Sequence, residues 1–221
     1  MKIQKNRIHL LILLFAVSSL LVHSPPDAFA DTGDVTSTVE INDSTTNGPS
    51  LADNDLFGHS IVNIGDLDGD GVNDIAVGAP QDDKGGANRG AVYIMFMNTD
   101  GSIDSTVEIN DSTTNGPSLA DNDLFGISVA NIGDLDGDGV NDIAVGENGM
   151  CGCIGGGRSG AVYIMFMNTD GSIDSTVEIN DSTANGPSTT RGFGYGMTNI
   201  GDLDGDGVND IAVGAFRDIN G

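Results

Sequence analysis

Basic residues are scarce in this sequence: 8 Lys and Arg stand against 33 Asp and Glu, for a formal charge of −25. A chain so poor in cations has little with which to neutralise phosphates, which excludes nucleic acid as a partner. An anionic membrane surface is disfavoured for the same reason. Cysteine is nearly absent as well. Cys151 and Cys153 lie in Met-Cys-Gly-Cys-Ile-Gly-Gly-Gly, with neither a CxxC pair nor a histidine at zinc-ligand spacing. A bridge between residues two apart would be strained, so free thiols in a glycine-rich loop are expected and a disulfide framework is excluded. Tryptophan is missing and aromatics reach only 5%. Beyond position 30 no stretch sustains a 3.6-residue apolar period, which argues against helices. The 38% of hydrophobic residues still separates the chain from a disordered acidic tail. Its 33 Gly, about twice the ordinary ~7%, point to many tight turns.

The N-terminus reads as a targeting segment. Lys2, Lys5 and Arg7 form a basic start, Ile8 to Val22 is a nearly continuous apolar run, and Ala28-Phe29-Ala30 precedes Asp31. That is the layout of a secretory signal peptide occupying 1–30 and cleaved after Ala30. The apolar run is short for a hydrocarbon core of ~30 Å, so an uncleaved anchor is the weaker reading. The expected product is secreted or cell-surface, with no membrane span once the signal is removed.

Internal repetition dominates the remainder. Asn63-Ile-Gly-Asp-Leu-Asp-Gly-Asp-Gly-Val-Asn-Asp-Ile-Ala-Val-Gly78 recurs at 131–146 and again at 199–214, offset by 68 residues each time. The run from Ala91 to Ser112 returns unchanged at 161–182, and Phe57-Gly58 returns as Phe125-Gly126 and Phe193-Gly194. Each repeat reads as four short strands. Ser60 to Gly65 alternates apolar and polar positions, Asp74 to Gly78 carries small side chains, and Val92 to Met97 is apolar throughout. An Asp-Gly turn follows, which is a hairpin signal, and Thr106 to Asn110 alternates again. Four strands per repeat of this length is the pattern of a β-propeller blade. The expected organisation is a leading segment at 31–56 with a stray fourth strand at Val39-Glu-Ile41, repeat 1 at 57–124, repeat 2 at 125–192 and a partial repeat 3 at 193–221. The fold class is all-β: antiparallel four-stranded blades in an incomplete propeller. A propeller usually needs four to eight blades, so either a truncated gene product or further blades supplied in trans is expected.

Between the first two strands of each repeat lies a loop dense in aspartate: Asp66, Asp68, Asp70 and Asp74; Asp134, Asp136, Asp138 and Asp142; Asp202, Asp204, Asp206 and Asp210. Carboxylates at loop positions 1, 3, 5 and 9 can converge on one centre if the chain wraps tightly. Glycine at position 6 permits the sharp turn, and the carbonyl of position 7 (Val72, Val140, Val208) can add an oxygen. All-oxygen donors in this number suit Ca²⁺ better than the strict octahedron of Mg²⁺, and the lack of His or Cys disfavours zinc and copper. An EF-hand begins with the same spacing but requires an acid at position 12 and flanking helices. Here position 12 is Val77, Val145 or Val213, inside a strand. About three Ca²⁺ ions, one per loop, are therefore expected. Without a cation, each loop crowds four like charges within Coulomb reach, so calcium should stabilise the fold.

Phe57-Gly58, the Asp66–Asp74 loop and Gly78-Ala79-Pro80 together resemble the FG-GAP repeat of integrin alpha-subunit N-terminal β-propellers, over about 50–221. The resemblance implies Ca²⁺ in a hairpin loop of each blade, held by Asp66, Asp68, Asp70, the Val72 carbonyl and Asp74, and by their counterparts in repeats 2 and 3. Gly146-Glu147-Asn148 and Gly214-Ala215-Phe216 depart from Gly-Ala-Pro, which affects the local turn rather than the ion loop. Leg domains and a C-terminal membrane helix are not visible in the sequence.

Other candidates are weaker. His59 follows Phe-Gly, where the other repeats have Ile127 and Tyr195, and a packing slot explains it better than catalysis. Arg89 and Arg158 occupy matching loop positions and read as solvated or capping residues, with a ligand contact the lesser alternative. Asn42, Asn110 and Asn180 begin N-x-[ST] sequons, whose use depends on the host. No Ser-His-Asp arrangement recurs and no basic cluster is present to hold a phosphate, so no enzyme activity is expected. The expected function is an exported calcium-binding propeller module that recognises an extracellular protein or glycan, in the manner of an adhesion module. The propeller part of an exported hydrolase and a purely structural envelope protein stand as alternatives.

Overall fold

The computed structural model describes residues 35, 37–149, 160–188 and 192–215. The signal-type segment, Cys151, Cys153 and Arg158 lie outside them. The ten strands among the described residues fall into three antiparallel sheets. The first contains β1 (Ser60–Gly65), β2 (Asp74–Ala79), β3 (Ala91–Met97) and β4 (Ile103–Ile109). The second contains β5 (Ser128–Gly133), β6 (Asp142–Glu147), β7 (Ala161–Met167) and β8 (Ile173–Ile179). The third pairs β9 (Phe193–Gly201) with β10 (Asp210–Ala215). Strand order follows sequence order in both four-stranded sheets, so each is a meander of the kind that forms a propeller blade.

Local chemistry accounts for these elements. The third strands, Ala-Val-Tyr-Ile-Met-Phe-Met, are apolar without alternation because both faces are covered: β3 is buried at every position. The fourth strands alternate because they are edges, and the polar Asp104, Ser105 and Glu108 keep that rim soluble. The second strands are small because neighbouring blades approach closely there. A Cβ on Gly78 would lie under 3.0 Å from the Gly126 carbonyl of the next blade, and Gly146 stands in the same relation to Gly194.

The two contacts between consecutive blades are built from the same bonds. Asn131 Nδ2 donates to the Asn63 carbonyl at 3.0 Å, and Asn199 Nδ2 to the Asn131 carbonyl at 3.0 Å. Asn141 Nδ2 reaches the Ile64 carbonyl at 2.9 Å, and Asn209 Nδ2 the Ile132 carbonyl at 3.0 Å. In the other direction, Ser60 Oγ donates to the Gly126 carbonyl and Ser128 Oγ to the Gly194 carbonyl. The apolar core runs through the same seams: Ile64, Ile94 and Phe96 of the first blade cluster with Val129, Ile143 and Met165 of the second.

Two expectations need correction. Val39 to Ile41 does not form a strand; Ile41 instead buries its side chain against Phe57, Val77 and Tyr93. A strand needs a partner ladder, and among the described residues none lies beside this segment as Val92 lies beside Ile109. His59 does not fill a packing slot and is exposed, whereas its counterpart Ile127 is buried. Tyr195, at the same position of the third repeat, is 41% exposed, so burial at this position differs from repeat to repeat.

Candidate metal centre

Each aspartate loop is organised by its own backbone. In the first, Asp66 Oδ1 accepts from Gly69 N at 2.8 Å and Oδ2 from Gly71 N at 2.9 Å. Asp68 Oδ1 accepts from Asp70 N, and Asp70 Oδ1 from Val72 N at 2.7 Å. Gly69 and Gly71 adopt φ of 81° and 93°, the left-handed region that glycine enters without strain. Asp74 stands at the start of β2, where Oδ2 takes the Leu67 amide at 2.8 Å and Oδ1 the Met97 amide at 3.0 Å. Asp74 thus pins the loop to β3, and burial pushes its carboxyl above the ordinary range. Loop 2 repeats the scheme: Asp134 accepts from Gly137 and Gly139, and Asp142 from Leu135 and Met167. Loop 3 does so with Asp202, Gly205, Gly207, Asp210 and Leu203.

Three carboxylates converge in each loop, with one oxygen from each lying within 4.8 Å of the others. The groups are Asp66, Asp68 and Asp70; Asp134, Asp136 and Asp142; and Asp202, Asp204 and Asp206. Loops 1 and 3 therefore gather positions 1, 3 and 5, while loop 2 gathers positions 1, 3 and 9. Asp74, Asp138 and Asp210 stay outside these groups. Val72, Val140 and Val208 contribute amide donors to Asp70, Asp138 and Asp206. Hard oxygen donors at this spacing fit a Ca²⁺ ion, and the convergence of three anions supplies the electrostatic reason for a divalent cation.

The FG-GAP repeat family model matches residues 57–95 and 125–165, segments that include the first two loops. The chain is an FG-GAP repeat protein. It is 32% identical over 213 residues to integrin alpha-PS5 of Drosophila melanogaster, covering 95% of this chain and 19% of that protein. It is 37% identical over 165 residues to integrin alpha-6 of Gallus gallus, covering 73% of this chain and 14% of the relative. Integrin alpha-4 of Xenopus laevis is 33% identical over 164 residues, 72% of this chain and 14% of its own length. The chain thus spans less than a fifth of each of these integrin relatives.

The FG-GAP residues have identifiable tasks. Phe57 and Phe125 are buried edge-on against Tyr93 and Tyr163, with centroids 5.6 and 5.7 Å apart. Gly126 takes φ of 86°, and its amide donates to the Gly146 carbonyl while its own carbonyl lies against Gly78 of the preceding blade. The motif's two glycines are therefore a single packing device between blades.

Sequence reasoning missed a set of buried acids. Asp55 and Asp82 in blade 1, and Asp123 and Glu147 in blade 2, are nearly inaccessible. Tyr93 Oη donates to Asp82 at 2.8 Å, and Tyr163 Oη to Glu147 at 3.3 Å. Glu147, which departs from Gly-Ala-Pro, thus takes over the tyrosine contact that Asp82 makes in blade 1. Burial first, then the charge of Asp123, pushes the Glu147 carboxyl up to about 9. For Glu147 the only signal available was an acid at the end of an otherwise small and apolar strand. Arg89 is a structural clamp rather than a ligand contact, bonding Asp111 and, at 2.9 Å, Asp121. Asn110 is buried and donates to Glu108 at 2.6 Å, while Asn42 and Asn180 make the same turn with more exposure. Among the described residues no helix is long and apolar enough to cross a membrane.

Proposed function

We propose that this chain is an exported, calcium-binding FG-GAP module serving extracellular recognition in an adhesion setting, and that it is not an enzyme. The observation carrying this reading is the threefold convergence of aspartates in loops of one design. Asp66, Asp68, Asp70 and Asp74, with the Val72 carbonyl, would hold one ion. Asp134, Asp136, Asp138, Asp142 and Val140 would hold a second, and Asp202, Asp204, Asp206, Asp210 and Val208 a third. Bound Ca²⁺ supplies no chemistry beyond charge. It would neutralise the crowded carboxylates of the hairpin loop between the first two strands of each blade.

The adhesion part draws on the integrin alpha relatives, and the export part on the layout of residues 1–30. Two experiments test the reading. A site that binds only the folded state adds roughly 1.4 kcal/mol per loop at ten times Kd, so millimolar calcium should raise the melting midpoint and chelator should lower it. An unchanged midpoint rejects the calcium role. Probing a matrix-protein and glycan array with the labelled chain should give calcium-dependent binding to a defined subset; an array blank in calcium rejects recognition and favours a structural role.

A further inference from the structure

We propose that the groove beside Glu178 in blade 2 is a receptor for a lysine side chain of a partner protein, the place that Lys84 fills for Glu108 in blade 1.

The two grooves are built from one sequence, since Ala91–Ser112 is repeated unchanged at 161–182. In blade 1, Asn110 Nδ2 holds Glu108 of β4 by donating to its Oε1 at 2.6 Å. The other oxygen, Oε2, accepts from the ammonium of Lys84 at 2.5 Å, which reaches over from the connection between β2 and β3. In blade 2, Asn180 Nδ2 donates to Glu178 Oε1 at the same 2.6 Å, so this carboxylate is presented in the same way. Among the described residues no cation reaches its Oε2, and Glu178 is exposed. The corresponding connection, 148–160, contains no lysine. Its one cation, Arg158, is the counterpart of Arg89, which in blade 1 turns to Asp111 and Asp121 and leaves Glu108 to Lys84. Blade 2 therefore keeps the acceptor without the donor.

The space beside Glu178 suits a side chain. A cavity of about 350 Å³ lies between β8 and the segment 115–118, lined among others by Pro117, Tyr163, Asp174, Thr176 and Glu178. Its walls are lashed together: Thr176 Oγ1 donates to the Asn115 carbonyl at 2.6 Å, and Asn115 Nδ2 to the Asp174 carbonyl at 2.8 Å. Tyr163, 2% exposed, is anchored through its hydroxyl to Glu147. The volume falls at the low end of the ~300–1,000 Å³ usual for ligand pockets, which fits one extended side chain better than a whole cofactor. Asp174 and Glu178 stand four residues apart on one face of β8, so the groove is anionic along its length. A single carboxylate on open surface gains little from an ammonium; a walled groove with two carboxylates also takes up the aliphatic stem of a lysine. Beyond the N-terminal segment the only lysine in this sequence is Lys84, already engaged by Glu108. A second copy of the chain thus offers no free lysine, and the occupant belongs to another protein.

The proposal rests on the recognition reading above and names the chemistry of the partner, but its test needs no natural ligand. A blank array beside a binding peptide rejects recognition alone, and the reverse rejects this groove alone. The probe is acetyl-Gly-Gly-Lys-Gly-Gly-amide, with its Nε-acetyl-lysine form as control, titrated into the full chain in millimolar calcium and followed by ¹H–¹⁵N NMR. The lysine peptide is expected to saturate one site, shifting the amides of Ser118, Thr176 and Glu178 while that of Glu108 stays in place. The acetylated form is expected to shift none of them. Glu178→Gln should weaken binding by about tenfold or more, the worth of one charge-assisted hydrogen bond. Lys84→Ala should raise the stoichiometry from one site to two, because it frees Glu108. Both substitutions are at exposed side chains or their rims, and the control peptide on the wild-type chain decides the matter without either. A wild-type chain that responds to neither peptide overturns the proposal, as does equal binding of the acetylated form, undiminished affinity in Glu178→Gln, or a single site in Lys84→Ala. Binding that appears only in Arg158→Ala overturns it too, since the chain's own arginine would then fill the groove.

Discussion

Alanine at Gly146 should be far more damaging than alanine at Gly214, although both residues end the same Asp-Ile-Ala-Val-Gly strand. At Gly146 a Cβ would fall under 3.0 Å from the Gly194 carbonyl and from Ser128 Oγ. The carbonyl is backbone in the next blade, so relief requires moving a strand rather than a side chain. Overpacking of this kind costs about 1–3 kcal/mol. Displacing the strand also weakens the Ser128 Oγ bond to Gly194, 2.7 Å in the native arrangement, for roughly another 1 kcal/mol. The total of roughly 2–4 kcal/mol corresponds to a fall in Tm of roughly 5–15 °C for a chain of this size. At Gly214 the nearest atom is the Gly196 carbonyl at 3.5 Å, an ordinary van der Waals contact, and the change should stay within about 0.5 kcal/mol. Thermal melting by far-UV circular dichroism in calcium, with wild type and both variants side by side, measures the difference. Equal shifts for the two variants, or none for Gly146→Ala, would refute the claim that the motif's glycines are spacers between blades.

Asp136→Ala should weaken binding of one calcium ion substantially and leave the other two nearly unaffected, because the three carboxylate groups lie in separate blades; calcium titration calorimetry resolves this. Glu147 should make stability fall as pH rises. Its carboxyl is protonated in the fold up to about 9 but has an ordinary value of 4.5 when unfolded. The native state therefore holds the extra proton between those limits, and its contribution is complete below the lower and lost on passing the upper. The slope is about −1.4 kcal/mol per pH unit for one proton, and Glu147→Gln should flatten it in urea melts at pH 5, 7 and 9.

Much of this fold was legible because its signals are local and repeated. The wholly apolar Ala91–Met97 run and the small-residue Asp74–Gly78 run each name a strand by composition, where the structure places β3 and β2, and the Asp-Gly pair marks the turn from β3 to β4. The loops were legible because positions 1, 3 and 5 are separated by only one residue, so convergence needs no distant partner. What could not be read depends on neighbours remote in sequence. His59 and Ile127 share a position in the repeat yet differ in burial, and the repeated sequence around them carries no signal of it. Glu147 reads as a break in Gly-Ala-Pro, and its role appears only when Tyr163 is placed beside it. Which three of the four aspartates converge also escaped, because Asp142 joins its group in loop 2 while Asp74 and Asp210 remain apart.

Calcium stoichiometry tests the central claim most directly. Equilibrium dialysis of the purified chain against ⁴⁵Ca²⁺ at millimolar concentration should yield about three ions per chain, in keeping with one oxygen-donor site per loop, and about two after Asp202 and Asp204 are both changed to Ala. Binding indistinguishable from a chain in which all three loops carry these changes would contradict the account.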